Sequence, residues 1–301
     1  WNRAMFAEAG LPDRPPETWD ELVKFSRKLT VYDDKGNVVR SGISWRLFGG
    51  GSGITEKWAI VLAQAGTTVL GTTPDGKWRA AYDNEAGREA IQLYVDSVHK
   101  YRVDSFEAPH DAAAFMAGQT AMFYRELWPI PSILKLAPDL DFGTALMPKF
   151  KERGTVYSTE SYFVSAHSRN KELAWDFILF ASQPEYAKRF LRECGWIPPR
   201  IDIDFSDIFA EIPQYKAAIV ADYPAGYRLA LYPPIVPVDE IYTRLSERLE
   251  RAFRDPSLVD NQAAIDQLLH EAAAETNAIL AEWGLLGEGP VTPYWITVGE
   301  E

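Results

Sequence analysis

From Ile265 to Trp283 the apolar residues fall at helical spacing: Ile265, Leu268, Leu269, Ala272, Thr276, Ile279, Leu280 and Trp283, with Gly284 ending the run. A long helix with one apolar stripe needs a packed core to lie against. The same period recurs elsewhere. Thr18-Trp19-Asp20-Glu21 reads as a capping box ahead of Leu22, Phe25 and Leu29, and Pro15-Pro16 hold the chain extended before it. Helices are expected over about 55–65, over 84–101 with Ile91, Tyr94, Val95 and Val98 inward, and over 111–117 ending at Gly118. Ala174, Phe177, Ile178 and Ala181 mark another, and Ser182-Gln183-Pro184-Glu185 reads as a second capping box for a helix that ends at Gly195. Ile241, Leu245, Leu249 and Phe253 mark a further helix, after Pro233, Pro234 and Pro237.

Short apolar runs at 121–124, 142–147 and 162–166 are predicted to be strands, and Asp33–Asn37 and Asp75-Gly76 to be tight turns. Short strands alternating with helices give the α/β class. At 301 residues the chain is long enough for about two domains. No apolar run approaches the roughly 20 residues of a membrane span. A formal charge of −12 repels phosphate backbones and anionic lipid, so nucleic acid and anionic membrane are not expected partners. Cys194 is the only cysteine, and His99, His110, His167 and His270 are scattered without metal-ligand spacing, so neither a metal nor any other cofactor is expected. Gly49–Gly53 lacks the Gly-Lys-Ser/Thr ending of a phosphate loop and reads as a flexible loop beside a cleft.

Several landmarks in order resemble a known family. Trp1-Asn2, Met5-Phe6, Ala9-Gly10-Leu11, Pro15-Pro16, Thr18-Trp19 and Glu21-Leu22 are similar to its "YN…F…AGL…PP.TW.EL" signature. Phe115–Met122 resembles its "F..GK.AM" stretch with Trp128 close behind, Lys171–Phe177 its "K.ELAW.F" helix, and Cys194–Pro198 its "G..P" corner. The family is the extracellular, family 1 solute-binding proteins of ABC importers. The resemblance implies a periplasmic-binding-protein-like type II fold, two α/β lobes with a hinge and an interlobe cleft. It implies that residues 1–156 form the main part of the second lobe and 157–234 part of the first. Residues 235–301 would supply a crossing segment and helices returning to the second. In the family the Tyr-Asn pair lies well inside the chain, so a preceding portion carrying the first lobe's leading strands is expected to be missing here, with any signal segment. Glu160-Ser161 stand near where family members often carry a Gly-Gly pair.

The function implied is capture of a carbohydrate outside the cytoplasm, in the periplasm or lipid-anchored on the outer face of the cell membrane, by a monomer that docks on ABC transporter permease subunits. Sugars offer flat C–H faces and a rim of hydroxyls, which calls for aromatic platforms and bidentate polar groups. The candidate aromatics are Trp45, Trp128, Tyr162, Trp196, Tyr232 and Tyr242, which fall in loops or at element ends. The candidate hydrogen-bonders are Arg46, Arg125, Glu126 and Glu160. Trp128 and Tyr242 lie where the resemblance puts ligand-stacking aromatics. The same fold could instead take a glycerol phosphate, polyamine or amino compound. A glycoside hydrolase would need two carboxylates such as Glu126 and Glu160 across a sugar bond; no Gly-x-Ser-x-Gly or His-Glu-x-x-His motif accompanies them.

Overall fold

The computed structural model describes residues 1–301 apart from 110, 160, 220, 221 and 301. The chain opens with helices α1 (Arg3–Glu8) and α2 (Trp19–Leu29), then a hairpin of β1 (Val31–Tyr32) and β2 (Val38–Arg40) around the expected Asp33–Asn37 turn. Helix α3 (Gly53–Ala65) leads to a second hairpin, β3 (Leu70–Thr72) and β4 (Trp78–Ala80), turned at Gly76 with φ of +75°. Helix α4 (Glu85–Val95) runs into a wide turn over 96–100, and α5 (Asp111–Met116) and α6 (Pro129–Leu136) follow. Then come β5 (Gly154–Tyr157), α7 (Lys171–Ala181), α8 (Pro184–Cys194), α9 (Ser206–Glu211) and β6 (Arg228–Leu231). Two long helices, α10 (Val238–Arg254) and α11 (Gln262–Glu282), and two short strands, β7 (Thr292–Pro293) and β8 (Trp295–Thr297), complete the described elements.

The large core gathers α2, α3, α4, α10 and α11. Phe25, Trp58, Tyr94, Leu249, Phe253, Ile265 and Leu280 are all buried within it. Helix α3 runs through this core with every residue from Ile54 to Ala65 buried except Glu56. Its Gln64 and Thr55 side chains have partners, whereas the Trp58 indole N–H has none among the described residues. Gln64 accepts from the Trp19 indole at 2.7 Å and donates to the Gly154 carbonyl at 3.2 Å. The Thr55 hydroxyl donates to the Tyr242 carbonyl at 2.8 Å. Burying such groups is tolerable only because they are hydrogen-bonded.

A smaller core forms where α5, α6, α8 and α9 meet, from Phe115, Ile130, Ile133, Phe142, Leu191 and Ile208. It draws residues from both sides of position 156. Strand β5 lies parallel to β6, Gly154 opposite Arg228 and Tyr157 opposite Leu231, and β8 pairs antiparallel on the far side of β6. The backbones near the two expected lobe boundaries thus run side by side.

Some local expectations are corrected. Thr18 does cap α2, accepting from the Glu21 N–H at 3.2 Å, but the Glu21 carboxylate reaches the Glu17 N–H at 2.8 Å and pairs with Arg14 instead of the Thr18 N–H. The second capping box does not form. Only two residues separate α7 from α8: Ser182 turns its hydroxyl back to the Ile178 carbonyl and Gln183 takes the cap position. The runs at 121–124 and 142–147 are not full strands. They make single bridges, Phe123 to Ser44 and Phe142 to Asn2, and 162–166 pairs with no strand among the described residues. An apolar run becomes a ladder only where a neighbour offers several backbone groups in register.

Candidate functional site

Position 57 puts a lysine inside the mostly apolar α3, and its side chain is only 2% exposed. A charge so enclosed needs a partner. The Lys57 ammonium meets the Glu126 carboxylate in close contact, and Glu56 lies 3.9 Å away. Ser52, just before α3, donates to Glu56 Oε1 at 2.6 Å and holds that carboxylate at the helix start.

The network continues from Glu126. Its Oε2 lies 3.5 Å from Arg125 Nε, which is 3.1 Å from Asp111 Oδ2; Arg46 reaches the same Asp111 oxygen at 3.5 Å. The Arg125 guanidinium sits 5.0 Å from the Trp128 ring centroid, within cation–π range. Asp111 adopts φ of +68°, a left-handed conformation that aspartate tolerates better than most residues. Burial pushes the Glu126 carboxyl upward, but the Lys57 charge and hydrogen bond, helped by Arg125, outweigh this and leave it below its ordinary value.

The glycine-rich loop has a definite role here: it folds over Arg46. A Cβ at Gly49, whose φ is +124°, would stand 3.0 Å from Arg46 Nη2, and one at Gly53 would stand 3.3 Å away. The loop packs against a guanidinium where a phosphate loop would cradle an anion.

The neighbouring corner carries aromatics. Gly195 ends α8 with φ of +74°, and a Cβ there would lie 2.6 Å from Trp128 Cα. Only a glycine lets the end of α8 press on the start of α6, and Trp196, 37% exposed, follows it directly. Near Glu56, the Tyr232 and Tyr242 rings meet at 4.9 Å, tilted by 54°. Burial raises both phenols, Tyr232 to about 12. A groove of about 120 Å³ opens beside the network, with Arg125, Glu126, Leu127, Trp1, Thr144 and Met147 in its wall.

Of the predicted residues, Arg46, Arg125, Glu126 and Trp128 therefore meet in one network, with Trp196 and the Tyr232–Tyr242 pair at its flanks. Trp45 does not join them. It is 2% exposed, its ring packs 4.8 Å from Tyr94 and 5.2 Å from Tyr124, and its backbone N–H donates to buried Asp104 at 2.7 Å. The Leu47 N–H donates to the Trp45 carbonyl at 3.0 Å, so the chain turns at Arg46, whose side chain is 21% exposed where Trp45 is buried. Tyr242 is also buried, so Tyr232 is the member of that pair with ring surface to offer. Tyr162 is 60% exposed and lies in a separate shallow groove with Phe163, Leu173 and Phe177. Glu160 lies outside the described residues.

Sequence reading missed Glu56, Lys57 and Asp111. A signal existed for Lys57: a lone lysine in a helix apolar on every side implies a buried pair. Asp111 gave none beyond its place at a helix start. Among the described residues no group of three His, Cys, Asp or Glu is placed to hold a metal, and no helix is long and apolar enough to cross a membrane.

Residues 1–217 match the family model described as bacterial extracellular solute-binding protein. A binding protein of Brucella abortus (strain 2308) is 24% identical over 287 residues, covering 93% of this chain and 64% of its own length. The chain thus spans less than two thirds of that relative. Among solved structures, an ABC transporter solute-binding protein from Thermotoga lettingae, bound with α-D-tagatose, superposes with a TM-score of 0.72 at 25% identity, covering 93% of this chain and 69% of that one. UgpB from Mycobacterium tuberculosis, in complex with glycerophosphocholine, gives a TM-score of 0.69 at 20% identity, with 94% and 68% covered.

Proposed function

The chain belongs to the bacterial extracellular solute-binding protein family, with an α/β fold of the two-lobed periplasmic-binding type, and from that premise we propose that it captures a carbohydrate outside the cytoplasm and presents it, unaltered, to an ABC importer. The observation that supports this reading is the Trp128 ring beside the Arg125–Glu126–Lys57 network. It sets an aromatic ring directly beside charged hydrogen-bonding groups, the pairing that a sugar's ring face and hydroxyl rim require. The energetics are consistent. Micromolar capture needs about −8 kcal/mol. Hydrogen bonds to charged groups contribute about 1.5–3 kcal/mol each, and aromatic packing adds about 0.5–1.5 kcal/mol beyond burial. Two or three of the former with Trp128 and Trp196 stacking reach that sum.

In this reading residues 157–234 belong to one lobe and the remainder mainly to the other. The parallel β5–β6 pair is the hinge, and Trp196 stands beside Trp128 at the corner where the end of α8 meets the start of α6. Closure is favoured because a sugar touches both walls only in the closed state. Capture without turnover fits Glu126. A glycosidic general acid needs a raised pKa, whereas Lys57 and Arg125 hold Glu126 ionised. Isothermal titration of the complete gene product against glucose, mannose, tagatose and maltotriose, with product analysis of the same samples, tests the reading. Heat without turnover is the expected result; hydrolysis, or silence from every neutral sugar, overturns it.

A further inference from the structure

The carbohydrate reading leaves open whether the solute carries charge, and the network beside Trp128 bears on that question. Three cations, Arg46, Lys57 and Arg125, face three carboxylates, Glu56, Asp111 and Glu126, and each cation lies within 4.0 Å of at least one of them. The two signs are layered. The Lys57, Arg125 and Arg46 side chains are 2%, 14% and 21% exposed, whereas Glu56 and Glu126 are 37% and 36% exposed; Asp111, 15% exposed, lies at the depth of the arginines and forms no part of the outer layer. We propose that this balanced layering makes the site selective for solutes without net charge and turns away their phosphate esters. The inference rests on the carbohydrate reading and narrows it.

A phosphate site needs cationic donors free to reach the ligand, typically an arginine fork offered edge-on. Here the Arg125 Nε lies 3.1 Å from Asp111 Oδ2 and 3.5 Å from Glu126 Oε2, ion-paired with both though hydrogen-bonded to neither, its guanidinium rests against Trp128, Arg46 is covered by the glycine loop, and Lys57 is enclosed on Glu126. An incoming phosphate would meet the Glu56 and Glu126 carboxylates first. To reach a cation it would have to break an ion pair and strand a partly enclosed carboxylate. A cationic solute gains little either, because the carboxylates are already neutralised from beneath. A neutral polyol disturbs neither layer. Its hydroxyls can donate to the exposed part of the Glu56 and Glu126 carboxylates, whose side chains are 37% and 36% exposed.

The test compares each neutral sugar that binds with its own 6-phosphate, adding glycerol 3-phosphate as a small anion, by titration calorimetry of the complete gene product. The phosphate ester is expected to bind about tenfold or more weakly than the parent sugar. Glu126→Gln should narrow that gap by about threefold or more, since it removes a rim charge and frees the Lys57 ammonium. Glu56→Gln, at a more solvated position, should narrow it as well. The comparison in the unaltered protein stands even if a variant fails to fold. A phosphate ester that binds as tightly as its parent sugar, or glycerol 3-phosphate binding where neutral sugars also bind, overturns the charge inference and leaves the carbohydrate reading intact. Silence from every sugar sinks both.

Discussion

Helices α3 and α7 are composed alike and end in opposite surroundings. Both are apolar on every side, the pattern expected of a helix enclosed all round. Helix α3 meets that expectation, with Trp58, Val61 and Leu62 fully buried between α4, α10 and β5. Helix α7 buries none of its residues, and Leu173, Trp175, Phe177, Leu179 and Phe180 are between 48% and 68% exposed. A cluster of exposed apolar side chains of this size is unusual on a folded domain, and among the described residues nothing covers it. The contrast shows that an apolar pattern specifies a need for cover without supplying the partner.

The largest expected effect that sharpens the contrast is at Trp58, which is 0% exposed. Trp58→Ala should cost about 3–5 kcal/mol in urea unfolding followed by circular dichroism. A loss below about 1 kcal/mol would mean that α3 is not the packed axis described. Next comes Lys57→Met. It removes the cation beneath Glu126, and an expected loss of about 1–3 kcal/mol should be partly recovered in the double variant with Glu126→Gln. Strict additivity would show that the two are not coupled.

Burial also sets a pH response on the α3 side. Asp104 is pushed up to about 7 by burial, against hydrogen bonds from the Trp45 and Ser105 N–H groups and the Ser41 hydroxyl. Its folded value lies above the ordinary 3.8, so the native state binds the extra proton between those limits. Its contribution to stability therefore grows as pH falls from about 7 towards 4 and is lost as pH rises through 7. Glu21 acts oppositely. Arg14 holds it near 2 despite some burial, so its contribution is present above its ordinary value of 4.5 and is lost as pH falls through about 2. Thermal melts between pH 5 and 8 should show an acid-side gain that Asp104→Asn abolishes; an unchanged slope in the variant would reassign it. The smallest effect belongs to α7. Phe177→Ser in the 301-residue chain should shift the unfolding free energy by less than about 0.5 kcal/mol while reducing binding of an apolar dye. A loss as large as that at Trp58 would mean the α7 face is already covered.

Helices α2, α4, α10 and α11 were legible in the sequence because their stripes are local, written at every third or fourth residue. The hairpins at Gly36 and Gly76 were legible for the same reason, since a turn needs only a few neighbouring residues. Strands β5, β6 and β8 were not, because each is four residues or fewer and exists only through a partner scores of positions away. The candidate site divides the same way. Arg125, Glu126 and Trp128 stand close together in the chain and were found. Glu56, Lys57 and Asp111 join them only through folding. Trp45 looked like a loop aromatic, and only the packing of Tyr94 and Tyr124 shows that it faces inward.

At position 195 the gap between the two indole-bearing corners is fixed by a side chain that is missing. Backbone on one side touches backbone on the other with nothing adjustable between them, so ordinary substitution there cannot widen or narrow the jaw by degrees; it can only pry it open. On the proposed carbohydrate reading, changes in the size of guest accepted would then arise from the rings themselves or from the opposite rim, with this corner as the fixed gauge against which they are measured.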